Sequence, residues 1–243
     1  RWGEVRAPKG VVQGQNMLRI LRETTGNLPP FDSFDDLVIP YRSVSTDIIE
    51  LQQVIMKDGY LVDAMMASMS VPGALPPYEL EGRWLVDGGV INNMPVDVAR
   101  QLGADIVIAV DISTDYKSQE DFTSFLTVAN QLTNYLVQRS AHAQASLLTS
   151  DDVLLNPEVG AMETTEFDKM PAAFDKGYEV VMANQSMLSK LALSTADYQN
   201  HINHKQSRRK QLTYGDEIRV DEIVLNNQTH YSDSLLKNRL NLA

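Results

Sequence analysis

One segment of this chain joins a carboxylate to a backbone shaped for close approach: Leu85-Val86-Asp87-Gly88-Gly89-Val90. The short apolar run ahead of Asp87 reads as a strand, and the two glycines after it read as a sharp turn. Loops that follow strands are where open α/β sheets place their ligands. A carboxylate in such a loop can act as general base for a hydroxyl nucleophile. Asp-Gly alone also suits an ordinary tight turn, so the dipeptide by itself leaves both roles open.

Other residues that could do chemistry are less organised. His142 falls in a long helical pattern, and His201 and His204 sit in a polar tail with no evident third metal ligand; these histidines read as solvated. The pairs Asp35-Asp36 and Asp151-Asp152 read as loop or strand-end charge. Asp111 closes an apolar run, with a structural role favoured. Met65, Met66 and Met69 read as core or pocket wall.

The elements needed to position Asp87 can be read along the chain. Helices are predicted over residues 11–25, 60–69, 96–102, 121–149 and 171–193. Strands are predicted over 37–48, 51–56, 84–86, 106–110 and 153–155, with the run at 106–110 expected to be buried on both faces of a parallel sheet. Alternating strands and helices predict an α/β domain with a mainly parallel sheet. The segment 201–215 is polar and basic and reads as a helix end or linker. Beyond it, a strand over 217–225 and a helix from Ser232 read as the start of a second, truncated domain.

Bulk properties narrow the functional classes. The chain has 243 residues, 43% of them hydrophobic, which is enough for a sizeable core. A net charge of −11 disfavours nucleic acid and gives no reason for attraction to anionic membranes. Without cysteine, thiolate catalysis and disulfides are excluded. No stretch approaches the roughly 18 apolar residues of a membrane-spanning helix. The first residue is Arg1 and the chain stops at Ala243, so a piece of a longer protein is expected.

Spaced elements around Asp87 carry a more specific message. Ala67-Ser68-Met69-Ser70-Val71-Pro72-Gly73 leads through Pro76-Pro77 to Asp87-Gly88-Gly89. Asn93-Met94-Pro95 follows, then Gly103-Ala104-Asp105 and the apolar run to Asp111. This order resembles the patatin-like phospholipase family over roughly residues 10–190, and Asp35-Asp36-Leu37 and Thr46-Asp47 resemble its preceding strands. The resemblance implies a three-layer α/β/α domain over residues 1–200. It also implies a lipid acyl hydrolase of the phospholipase A or esterase type, with a Ser–Asp dyad and no cofactor or metal. Asp87 is then the general base, and Gly88 and Gly89 shape its loop. The family's nucleophile lies in Gly-x-Ser-x-Gly on a strained elbow, and no such motif occurs in this sequence. Ser68 and Ser70 lack the flanking glycines and read as packing and hydrogen-bonding residues. The nucleophile and the oxyanion loop are therefore expected upstream of Arg1, and these 243 residues are expected to be inactive alone.

Residues 218–227 and 232–242 resemble the first strand and helix of a polypeptide-transport-associated (POTRA) domain, giving a small α+β unit over 216–243. That resemblance implies a bacterial outer-membrane protein with a β-barrel in the same chain, exported to the cell surface or secreted. The alternative is a cytoplasmic protein with a C-terminal extension. The expected partners are a phospholipid or other lipid ester and, through it, a membrane surface. A non-catalytic lipid- or protein-binding module on the same fold is the competing functional class.

Overall fold

The computed structural model describes residues 14–26, 28–113, 125–160, 162, 166–213, 224–227 and 229–239. The described chain opens with helix α1 (Gly14–Thr24), which ends at Gly26 with φ +69°, a left-handed stop. Strands β1 (Ser43–Asp47) and β2 (Gln52–Met56), helix α2 (Leu61–Met69), and strands β3 (Tyr78–Leu80) and β4 (Arg83–Asp87) follow. The short helices α3 (Gly89–Asn92) and α4 (Val96–Gln101) come next. Strand β5 (Ile108–Val110), helix α5 (Phe125–Ala145) and strand β6 (Val153–Leu155) form a crossover unit. Helices α6 (Met170–Ala183), α7 (Gln185–Leu188), α8 (Thr195–Thr213) and α9 (Asp233–Arg239) complete the described chain.

The first four strands form one sheet in the order β2-β1-β4-β3, antiparallel at every pairing. The expectation of a mainly parallel sheet is therefore corrected: parallel pairing is present between β5 and β6 alone among the described strands. Connection length is the reason. β1 and β2 are joined by a tight turn and β3 and β4 by two residues, links that can only reverse the chain, whereas β5 and β6 are joined through α5. In the β3–β4 turn both Glu81 (φ +52°) and Gly82 (φ +76°) are left-handed, as a two-residue hairpin turn requires. β3 and this hairpin were not among the sequence expectations.

Two cores hold the described structure. The first gathers Phe34, Leu37 and Ala64, flanked by Phe31, Tyr41, Met56 and Leu61. Phe34 is fully buried and meets Phe31 edge-on at 6.4 Å and Tyr41 at 5.9 Å. The second gathers Met94, Val96, Val107 and Ala109 with Ala99, Ala145 and Leu148. Here the run at 106–110 departs from expectation. Val107 and Ala109 are buried, but Ile106, Ile108 and Val110 are 43%, 50% and 53% exposed. Hydropathy marks surface that could be covered, and among the described residues the second core covers one face of β5.

Asp152, expected as strand-end charge, is a buried hub. Its carboxylate accepts from the backbone N–H of Val107 and Thr149 (both 2.7 Å) and from the Thr149 hydroxyl (2.9 Å), and it pairs with Arg100. Backbone donors, then the hydroxyl and the guanidinium, hold its carboxyl down at about 2. This hub joins the end of α4 to the start of both strands of the parallel pair. Asp35 forms a two-oxygen contact with the Arg42 guanidinium (2.9 and 3.0 Å), and Asp36 reaches Arg208 on α8 at 3.2 Å. Asp111 caps the end of β5 through the Ser113 N–H (2.9 Å) and hydroxyl (2.6 Å), a structural role.

The segment 201–213 belongs to the single helix α8. The strand expected over 217–225 lies mostly outside the described residues. Helix α9 starts directly after Ser232, whose hydroxyl accepts weakly from the Leu235 N–H at 3.4 Å.

Candidate active site

Asp87 stands at the last position of β4, and three pieces of chain grip it. Its backbone N–H donates to the Ser70 carbonyl (3.0 Å), and its own carbonyl accepts from the Thr46 hydroxyl on β1 (3.0 Å). Its carboxylate Oδ1 accepts from the Gly89 N–H at 2.8 Å. Burial pushes the Asp87 carboxyl above the ordinary carboxylate range, with the Gly89 N–H opposing that rise.

The two glycines are required here by space rather than by dihedral angle. Gly88 has φ −68° and ψ −23°, a conformation open to any residue. A Cβ there would sit 2.2 Å from the Val44 carbonyl oxygen, inside any tolerable contact. A Cβ on Gly89 would lie 2.6 Å from Asp87 Oδ1 and 2.8 Å from Asn93 Oδ1. The expectation that the pair serves a sharp turn is thus refined: the missing side chains let β1 and the aspartate close in on the loop.

Asp87, Gly88 and Gly89 line a cleft of about 270 Å³ together with Tyr41, Arg42, Ser43, Val44, Ser68, Asn92, Asn93 and Pro95. The Asn92 Nδ2 donates to Gln53 Oε1 (2.8 Å) and Asp97 Oδ1 (2.9 Å), which tie α3 to β2 and α4. Helix α5 braces the same loop. The Ser140 hydroxyl donates to the Ile91 carbonyl (2.8 Å) and accepts from the Asn93 N–H (3.2 Å), while Gln144 accepts from the Asp97 N–H (3.0 Å). A carboxylate so fixed can take a proton from a hydroxyl brought into the cleft.

Ser68 and Ser70 behave as packing residues. The Ser68 hydroxyl donates to the Val44 carbonyl (2.8 Å), and that of Ser70 to the Met66 carbonyl (2.7 Å). His142, His201 and His204 are exposed on α5 and α8. Among the described residues no cluster of three or more His, Cys, Asp or Glu side chains could hold a metal ion. Met66 is buried in α2. Sequence reasoning missed Tyr41, Arg42 and Asn92 as cleft wall. Asn92 carried a signal, since it directly precedes the quoted Asn93-Met94-Pro95, whereas Tyr41 and Arg42 read only as part of the strand expected over 37–48.

Comparison with known proteins finds similar sequences over the segment that holds the cleft. The family model described as patatin-like phospholipase matches residues 1–100, which includes Asp87 and the whole cleft. Patatin-like phospholipase domain-containing protein 6 of Mus musculus is 30% identical over 174 residues, 60% of this chain. The chain spans only 12% of that relative's length. Patatin-like phospholipase domain-containing protein 7 of Rattus norvegicus is 41% identical over 93 residues, covering 37% of this chain and 7% of its own length. An uncharacterized NTE family protein of Mycobacterium bovis is 32% identical over 104 residues, 43% of this chain and 28% of its own. Over the matched segments this chain is similar to patatin-like phospholipases.

Proposed function

We propose that Asp87 is the general base of a lipid acyl hydrolase whose nucleophilic serine is supplied from sequence upstream of Arg1. The observation that carries this reading is the Asp87 carboxylate itself, fixed by the Gly89 N–H in a cleft and raised in pKa by burial. A base whose pKa is moved toward the operating pH accepts a proton more readily in the transition state. In the proposed reaction the serine hydroxyl attacks the ester carbonyl while Asp87 takes its proton. The proton then passes to the departing alcohol, leaving an acyl-enzyme that water hydrolyses. Gly88 and Gly89 admit the approach of chain that this requires. The substrate class is a phospholipid or another lipid ester met at a membrane surface.

The wider arrangement belongs to the same proposal. The domain would be completed as a three-layer α/β/α unit, with residues 216–243 opening a POTRA-like domain ahead of an outer-membrane β-barrel. Export to the cell surface follows from that arrangement. Its support is the resemblance of residues 218–227 and 232–242 to the first strand and helix of such a domain. Among the described residues no helix is long and apolar enough to cross a membrane.

The test is fluorophosphonate labelling and ester turnover in a chain extended upstream to include the serine, comparing wild type with Asp87→Asn. Losing the base should lower kcat about a hundredfold to ten-thousandfold. Turnover undiminished in Asp87→Asn removes Asp87 from the mechanism.

A further inference from the structure

Ser45 sits at the centre of β1 and pairs with Asp87 across the β1–β4 ladder. The Ile48 N–H donates to the Trp84 carbonyl at 3.0 Å. Hydrogen-bonded and non-hydrogen-bonded pairs alternate along an antiparallel ladder, so Thr46 with Val86 is a hydrogen-bonded pair and Ser45 with Asp87 is not. Side chains of a non-hydrogen-bonded pair share a face and approach closest, with Cα atoms about 4.5 Å apart. Ser45 is completely buried, and its hydroxyl has no hydrogen-bond partner among the described residues. Its neighbours on the same face are committed: Ser43 donates to the Ala64 carbonyl (2.9 Å), and Asp47 Oδ1 accepts from the N–H groups of Ile49 and Glu50.

An orphaned buried hydroxyl costs about 1–3 kcal/mol, so its retention beside a carboxylate asks for a purpose. We propose that Ser45 is a positioning residue for Asp87, its hydroxyl donating across the strand pair to the Asp87 carboxylate when that carboxylate is charged. The proposal rests on the reading of Asp87 as the catalytic base and adds a second donor to it. A change between staggered χ1 positions is the motion required to aim the hydroxyl. Total burial keeps substrate away from Ser45, so it acts through Asp87 alone. Its effect would be to hold the charged carboxylate in one orientation while the nucleophile is deprotonated.

Most other charged or titratable groups around Asp87 are already engaged, although the buried Nε of Arg42 has no partner among the described residues. Arg42, in the cleft wall, is held by Asp35, and Tyr41 beside it is kept neutral by burial. On α2, Asp63 accepts from the Tyr78 hydroxyl (2.7 Å). On α4, Asp97 accepts from Asn92, and α5 meets the loop through Ser140 and Gln144. Asp47 is occupied by its own turn.

Carbon-13 carboxyl NMR on the 243-residue chain tests the proposal without any need for turnover. The Asp87 signal is assigned by its loss in Asp87→Asn, and its titration is followed in wild type, Ser45→Ala, Ser45→Cys and Ser70→Ala. Removing the donor should raise the Asp87 midpoint by about one pH unit in Ser45→Ala. Ser45→Cys, a poor donor of similar size, should move it the same way and covers the case in which the alanine variant fails to fold. Ser70→Ala removes a buried hydroxyl already bonded to the Met66 carbonyl and should leave the midpoint in place. In the extended, active chain Ser45→Ala should lower kcat about fivefold with KM unchanged, and shift the acid limb of the pH profile upward. An Asp87 midpoint unmoved by both Ser45 variants overturns the proposal, even where Asp87→Asn abolishes turnover. A midpoint that moves as expected while Asp87→Asn keeps full turnover preserves the Ser45–Asp87 pair and removes the catalytic reading instead.

Discussion

The antiparallel sheet that carries Asp87 and the parallel pair β5–β6 with its following helices bury their apolar side chains to different extents. In the first, Phe34, Leu85, Ala64 and Met66 are buried, and β1 is buried along its whole length. In the second, Ile108, Val110 and Leu154 face outward, and on α6 Phe174 and Tyr178 are 73% and 60% exposed. Among the described residues, the buried polar atoms left without partners, Arg42 Nε, Ser45 Oγ and Asn92 Oδ1, belong to the first region, each in a residue of the cleft wall or of the strand behind it. Tight packing and unmet polar capacity therefore coincide around Asp87. Elsewhere a buried charge such as Asp152 has its hydrogen-bond partners. That coincidence is what a site built for chemistry would leave, since a fold selected for stability alone has no reason to orphan polar atoms in its best-packed sheet.

The largest expected effect separates the two regions by stability. Phe34→Ala should cost about 3–5 kcal/mol in denaturant unfolding, as a large aromatic lost from a closed core does. Phe174→Ala, at an exposed helix face, should stay within about 0.5 kcal/mol. Comparable losses at both positions would erase the contrast.

A smaller effect probes the cleft. Gly88→Ala puts a methyl against the Val44 carbonyl and should cost about 1–3 kcal/mol, because the strand and loop must part to admit it. The matched substitution Gly177→Ala on α6, where a Cβ meets nothing within 4 Å, should be neutral or slightly stabilising. Equal stability of the two variants would mean that the loop does not depend on close approach to β1.

The smallest effect is a pH dependence. Because burial raises the Asp87 carboxyl, the folded chain holds that proton more tightly than the unfolded chain does. Asp87 therefore costs no stability below the ordinary carboxylate range, and its cost grows as pH rises through its raised value. Asp87→Asn should make the chain more stable than wild type at neutral pH, with the gap closing toward pH 3. A variant less stable than wild type at pH 7 would contradict the burial of a charged carboxylate.

Much of the element order around Asp87 was legible because local signals agree there. Alternation over 37–48 overlaps β1, and the partner strand expected over 51–56, the small-residue helix before Pro72 and the strand before Gly88 each match a described element. The pairing of those strands was not legible. Strand-helix alternation argues for parallel neighbours, and the β3–β4 hairpin depends on left-handed Glu81, a residue type with no preference for that conformation. Asp152 was unreadable for a related reason: its partners Arg100 and Val107 are brought to it by tertiary structure, far along the chain. Asp87 itself could be singled out because the glycines beside it are local. The wall facing it, from Tyr41 to Val44, lies within the strand expected over 37–48, but its contact with Asp87 is long-range and has no local mark.

The Gly88–Val44 approach has a consequence for how this site can change. Asp87 is located by main-chain atoms: the Ser70 carbonyl, the Gly89 N–H and the backbone of β1 pressed against a residue with no side chain. Substitutions in the cleft wall that keep the backbone, as at Asn93, can therefore reshape the pocket around it without moving these main-chain anchors. The same arrangement leaves the chain free to alter what it accepts while the position of its acid is inherited unchanged.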